Sequence, residues 1–357
     1  MRPIPFVLAC SLAASASLCA AQPPGTLPPP PPAAPAPAPA PAPTQRPPAG
    51  GSERAATVRD DDAQPSRWQA DLDRLDADLR LRLLTANDPR TDWLAAELDT
   101  TDVESQVRHY AAARTAAPAE RLYLASLGVA CLQPVRPTLP PCDAVDRLAD
   151  WARRDSDNGV PSLLLAGRAR QRGEADAAAG FVEEAAGAPR FDDYWSQGTK
   201  RWWDYLRPLN VAVDPAAKAE AAANYGSTRD FAWAAPLRAV CADPGQRVER
   251  MRSACASLGQ ALMARGASFA LRRAGARLAE LNAATPAART AAQARNARLL
   301  TMSARCAQLQ PDFVGALESP EPSVRARGVE QFAAWASAQA DLGEVAACER
   351  VLATAPR

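Results

Sequence analysis

The chain has 357 residues, a formal net charge of +1, 34 prolines, eight cysteines and one histidine. That length can bury one elongated hydrophobic core or two abutting ones. The lone histidine and the lack of any Cys-x-x-Cys pair argue against a cysteine and histidine metal centre, and the lack of a Gly-x-Ser-x-Gly elbow or a phosphate-binding glycine loop removes the commonest hydrolase and nucleotide-site signatures.

Residues 1–21 read as a secretory signal peptide. Arg2 gives a positive start, Ile4 to Leu18 are mostly apolar or small, and Cys19-Ala20-Ala21 offers the small residues a signal peptidase needs. Lipidation at Cys19 is the alternative, although Leu18 before it is larger than that processing site prefers. No later stretch has the apolar length of a membrane span. Residues 22–65 form a disordered linker: Pro23 to Gly50 are nearly all proline and alanine, a composition that gives an extended polyproline spacer, and Asp60-Asp61-Asp62 continues it.

From Ser66 the chain is rich in alanine, leucine and arginine without period-2 alternation, so it is expected to be all-α. Ser66 caps a helix whose Trp68, Leu72, Leu75, Leu79 and Leu83 share one face, and Asn87-Asp88-Pro89 ends it. Helices follow over Trp93 to Leu98, Asp102 to about Arg114 and Pro118 to Cys131. His109 falls on the second of these, with no base or nucleophile partner evident from spacing. Prolines and glycines cut the remainder into pieces of helical length, with a soft boundary near Pro215 that separates a repeat region, 66–214, from an arginine-rich helical region, 215–357.

Within the first region Ala144, Leu148 and Trp151 are followed 34 residues later by Ala178, Val182 and Ala185. Leu165-Ala166 and the turn Gly173-Glu174 lie between them, so Gly159 to Ala188 resembles a tetratricopeptide repeat, with Ser162, Ala169 and Pro189 departing from its pattern. The resemblance implies antiparallel helix hairpins stacked as a short solenoid, whose concave face holds a peptide or a partner protein. Phe191, Tyr194, Trp195, Trp202, Trp203 and Tyr205 make the densest aromatic segment. On a helix Phe191, Trp195, Trp202 and Leu206 share a core-facing side, which leaves Tyr194 and Trp203 as candidates to line a groove that stacks on a sugar or proline ring.

Charge is unevenly spread. From Asp60 to Glu104 there are 13 acids and 5 bases, while from Arg238 to Cys306 there are 12 arginines and 3 acids. The basic stretch reads either as a face for an anionic envelope polymer, a lipid headgroup or an acidic protein, or as a solvated face. Cys10 and Cys19 leave with the signal, and the six other cysteines, in an exported chain, imply three disulfides. Cys131 and Cys142 would staple one helical hairpin, stabilising it by roughly 3 kcal/mol. The nearest-neighbour choice for the rest is Cys241 with Cys255 and Cys306 with Cys348, although a simple hairpin would leave Cys241 and Cys255 about 15 Å apart.

Glu318-Ser319 resembles the Glu-Ser pair of a lytic transglycosylase, which would make Glu318 a general acid on a glycosidic oxygen. Pro320-Glu321-Pro322 places that pair in a polar turn, and the downstream Gly-Leu-Met-Gln motif of that family is missing. The sequence therefore describes a periplasmic or secreted scaffold that binds another envelope protein and is not an enzyme. It implies no cofactor, no nucleic acid and no membrane span. A cell-wall glycan hydrolase using Glu318 and a passive spacer are the alternatives.

Overall fold

The computed structural model describes residues 68–354 without 86–87, 89–90, 100–101, 133–138, 144–145, 228–230, 243–248 and 310. The signal peptide, the proline-rich linker, the Ser66 cap, Ala144, Asn87, Pro89 and the Asp243-Pro244 break lie outside the described residues. The rest is helical, and two isolated backbone bridges are its only extended pairing. The all-α expectation holds at that level.

Residues 66–357 form one compact unit. Helix α1 (Gln69–Thr85) buries Leu75, Leu79 and Leu83 on one stripe, with outward Asp76–Arg80 and Asp78–Arg82 pairs at i,i+4 spacing. Helix α2 (Asp92–Leu98) leads to α3 (Val103–Ala116), whose N-cap Asp102 accepts from the backbone N–H groups of Glu104 and Ser105. Helix α4 (Arg121–Ala130) begins three residues later than the proline signal suggested, because residues 118–120 form a turn. The short α5 (Pro140–Asp143) and α6 (Arg147–Arg154), the latter capped by Asp146, come next. Helices α7 (Gly159–Gln171) and α8 (Ala175–Gly187) are the expected hairpin, with Gly173 at φ 76° in the turn where a side chain would be strained.

Packing follows chain order from α2 through α3, α4, α6, α7 and α8, and then departs from it. Helix α9 (Trp195–Leu206) pairs with α10 (Pro215–Ser227), and both pack on α16 (Pro322–Leu342). The face of α8 that a stacked repeat would give to its successor goes to α12 (Glu249–Arg265), and α7 receives α11 (Ala234–Cys241). The series resumes through α13 (Phe269–Leu281) and α14 (Pro286–Leu309), with α15 (Pro311–Leu317) on α16 and α17 (Glu344–Thr354) on α14. The cause is α9. It buries Ser196, Gly198 and Thr199 as well as Trp202, Trp203 and Leu206, an arc of roughly 160° that is wider than one neighbour covers, and it packs on both α10 and α16. Because α9 and α10 lie on either side of Pro215 and pack together, the compact unit runs through that position.

The three disulfides are the nearest-neighbour pairs, Cys131–Cys142, Cys241–Cys255 and Cys306–Cys348. Cys241 and Cys255 have Cα atoms 5.7 Å apart, where hairpin geometry predicted a wide gap. Helix α11 is no antiparallel partner of α12. It lies mainly on α7 and brings its C-terminal end, Val240 and Cys241, against Cys255 in the second turn of α12.

Candidate functional site

Pro189 stops α8, and the five residues from Arg190 to Tyr194 run as an extended strap before α9 restarts the helix. The strap is stitched on both sides by backbone bonds. Gly159 N–H donates to Arg190 O and Arg190 N–H to Asp157 O, while Phe191 N–H donates to Arg265 O and Ala267 N–H to Phe191 O. Val345 N–H donates to Ala267 O, which joins the start of α17 to the same ladder. Four corners of the chain are thereby fixed in one place.

Beneath the strap lies a buried carboxylate. Asp155 is 0% exposed, and its oxygens accept from Trp151 Nε1 at 3.0 Å, Asn158 Nδ2 at 2.9 Å, Tyr194 Oη at 2.7 Å and the Arg190 guanidinium. Such an acid is tolerated only with full hydrogen bonding and a cation. Arg190 also pairs with Asp157 at 3.0 Å and lies 3.6 Å from Asp192. Burial alone would lower its pKa, but the bonds to Asp157 and Tyr194 and the charge of Asp155 win and raise it. Tyr194 has φ 58°, the one non-glycine residue in the left-handed region among those described. Asp192 accepts its N–H at 2.8 Å and Asp155 accepts its hydroxyl, which holds the strained backbone in place. Burial, then the bond to Asp155, raise the phenol pKa, so Tyr194 acts as a donor.

Above the strap opens a cleft of about 810 Å³, walled by 117–121, by Arg190 to Asp192 with Tyr194 and Gln197, by Arg265 to Ala267 with Arg272, and by Ala340 to Gly343 with Ala346. Glu120 is held by Arg201 at 2.7 Å, and Arg121 lies 3.5 Å from Asp155. Arg265 sits 5.9 Å from the centre of the Phe191 ring and donates to Ala186 O at 2.7 Å. Arg272 donates through Nε to Gly266 O at 2.8 Å, and burial lowers its pKa. Burial, reinforced by the neighbouring charge of Asp193, pushes the Asp192 carboxyl up to about 6.

Of the two groove candidates, Tyr194 borders the cleft but is itself only 2% exposed, with its hydroxyl bound to Asp155, and Trp203 lies elsewhere. Trp203 is 3% exposed and meets the Phe332 ring edge-on at 5.4 Å, in the core between α9 and α16. Phe191, expected on the helix, belongs to the strap, and Trp195, expected in the core, is half-buried against Phe231 at 6.0 Å. His109 has a partner that spacing did not reveal, Asp92, at 2.7 Å and away from the cleft. Glu318 is exposed just past the end of α15 and does not line the cleft. Sequence reasoning missed Asp155, Arg190 and Asp192. Their signal was present in Asp155 to Asn158 and Arg190 to Asp193, two short polar runs at helix ends that read only as turns.

Among the described residues no three or more His, Cys, Asp or Glu side chains are placed to hold a metal ion, and no helix is long and apolar enough to cross a membrane. Comparison with protein-family models, with curated proteins and with solved structures finds no match to this chain.

Proposed function

We propose that this is an exported, disulfide-stapled helical protein that binds another envelope or secreted protein through the cleft above the strap, while the proline-rich segment serves as its tether. One observation carries the reading: segments far apart in the sequence converge on a preformed concavity whose polar side chains are already oriented. Pre-organisation lowers the ordering cost of binding, and a strained residue held by a buried network fits a surface kept for recognition. Three disulfides support an oxidising address, and the apolar, small-residue N-terminus supports export to the periplasm or beyond. The repeat-like hairpin of α7 and α8 supplies the wall behind the strap.

The test is site-specific photocrosslinking in the source cells. A photoreactive residue at Leu342, on the cleft rim and 39% exposed, is compared with one at Leu81 on α1, 65% exposed. The expected result is one discrete protein adduct from position 342 and none from 81, with or without residues 23–50. Equal labelling from both positions, or none from 342, points to a passive spacer and overturns the proposal.

A further inference from the structure

The charges of the cleft divide into those already used and those left over. Arg190 is spent on Asp155 and Asp157, Arg121 leans toward the same two acids, and Glu120 is held by Arg201. Arg265 and Arg272 remain on one wall. A guanidinium has five N–H donors. Among the described residues each of these two makes a single hydrogen bond, to the backbone carbonyl of Ala186 and of Gly266 respectively. The nearest carboxylate to Arg272 is Glu349 at 3.8 Å, beyond hydrogen-bonding distance, although the Arg272 side chain is only 16% exposed. Both cations are therefore oriented by main-chain oxygens and keep most of their donors.

Two acids remain on the other walls. Asp192 gives one oxygen to the Tyr194 N–H and has Arg190 no closer than 3.6 Å to the other, and burial raises its pKa. Asp341 is exposed and takes part in no ion pair among the described residues. A doubly charged phosphate would meet these acids as well as the arginines, whereas a carboxylate accompanied by a cation would satisfy both sets. The volume of about 810 Å³ falls in the range of small-ligand sites, roughly 300–1,000 Å³, so the occupant is a short segment and not a folded surface.

We propose that the cleft is a site for a zwitterionic peptide end, with a free carboxylate held between Arg265 and Arg272 and a cationic group of the same ligand facing Asp192 and Asp341. The inference rests on the reading of the cleft as the binding surface. The same chemistry is offered by a free short peptide, through its α-amine, and by the C-terminal tail of a protein that carries a lysine or arginine near its end.

Mature chain, residues 22–357 with disulfides intact, would be equilibrated with a mixed tripeptide library bearing free ends, and with the matching library of C-terminal amides. Retained peptides are identified by mass spectrometry. Free acids should be retained and amides depleted roughly 10- to 100-fold, the weight of one or two charge-assisted hydrogen bonds. Arg272→Gln should remove that preference. Leu342→Glu, at an exposed rim position that does not threaten folding, should weaken retention of free acids by placing a competing carboxylate beside the arginines. The same sequences displayed at the C-terminus of a carrier protein separate the two sources: retention there assigns a protein tail, and retention of free tripeptides alone assigns a free peptide. Equal retention of acids and amides, or no retention of either, overturns the proposal, as does full displacement by inorganic phosphate. If the library fails while the Leu342 crosslink persists, the peptide-end assignment falls and the binding cleft stands. If both fail, the cleft reading falls as well.

Discussion

Asp155 carries more of the local architecture than any residue named from the sequence. Its carboxylate is the shared acceptor for Trp151, Asn158, Tyr194 and Arg190, which belong to the end of α6, the start of α7 and the strap. Replacing it by asparagine keeps the shape but leaves Arg190 with one fewer counter-charge and turns an amide N–H toward existing donors. Asp155→Asn is expected to cost about 3–5 kcal/mol, the penalty for breaking a buried ion pair, read as a lower urea midpoint with an unchanged slope. Tyr194→Phe, which removes one donor and keeps the ring, should cost about 1–2 kcal/mol. A cost below about 1 kcal/mol for the asparagine variant would show that the network is incidental. Tyr194 was singled out in the sequence as an aromatic left off the core-facing stripe of Phe191, Trp195, Trp202 and Leu206, although the helix starts only at Trp195 and Tyr194 owes its place to the strap. Asp155 was not singled out. Its partner Arg190 lies 35 residues away, and a turn residue gives no hint of whether its carboxylate faces water or four donors. Trp203 failed for a related reason: it lies about 100° round the helix from Trp202, and the stripe that α9 buries is wide enough to take in both.

At the scale of elements, the walls of the cleft depend on how closely α12 and α13 approach. Gly259 and Gly275 face each other across that crossing. A Cβ on Gly275 would stand 2.7 Å from Leu262 Cβ and 2.8 Å from Gly259 O, and one on Gly259 would stand 2.7 Å from Ala279 N. Backbone cannot swing aside as a side-chain tip can, so Gly275→Ala must separate the helices. It is expected to destabilise by about 1–3 kcal/mol in spite of alanine's better helix propensity. Gly180 in α8 has nothing within 4 Å of its would-be Cβ, so Gly180→Ala should instead stabilise by about 0.5–1 kcal/mol. Thermal melts of the two variants should therefore shift in opposite directions, and a shift of the same sign in both would contradict the close-packing account. Helix positions, the α7–α8 hairpin and the cysteine pairs were readable because each depends on local pattern: capping residues, small-residue spacing and nearest neighbours. The insertion of α9 and α10 out of stacking order was not readable, since it follows from the total volume of Trp202, Trp203, Phe332 and Phe313 and from no interval between them.

For the whole molecule, the strap and the corner at Ala267 join segments that lie far apart in the chain, and two acids at that junction couple its stability to pH. Burial pushes Glu344 up to about 7, although its carboxylate accepts the Phe269 N–H at 2.9 Å, and burial with the nearby Asp193 charge pushes Asp192 to about 6. The unfolded chain releases the same protons near about 4. Between those values the native state binds more protons than the unfolded state, so the stabilisation from these two groups is full below about pH 4 and lost as pH rises through 6 and 7. Opposing them, hydrogen bonds from Arg168, Arg190 and Arg250 lower the pKa of Asp146, Asp157 and Glu183, and one from Gln293 lowers that of Glu280. The stability those four add is present above about pH 4 and is lost as pH falls through their lowered values. The two trends place the maximum in mildly acidic solution. Urea unfolding of the oxidised chain should show stability highest near pH 5 and lower by on the order of 2 kcal/mol at pH 8. In the Asp192→Asn, Glu344→Gln double variant, which removes both high-pKa carboxyls while leaving an acceptor for Phe269, the profile from pH 5 to 8 should be nearly flat. A wild-type midpoint that rises over that interval, or a double variant that falls as steeply as wild type, would mean that the junction is hydrated and that its acids do not govern how the fold responds to pH.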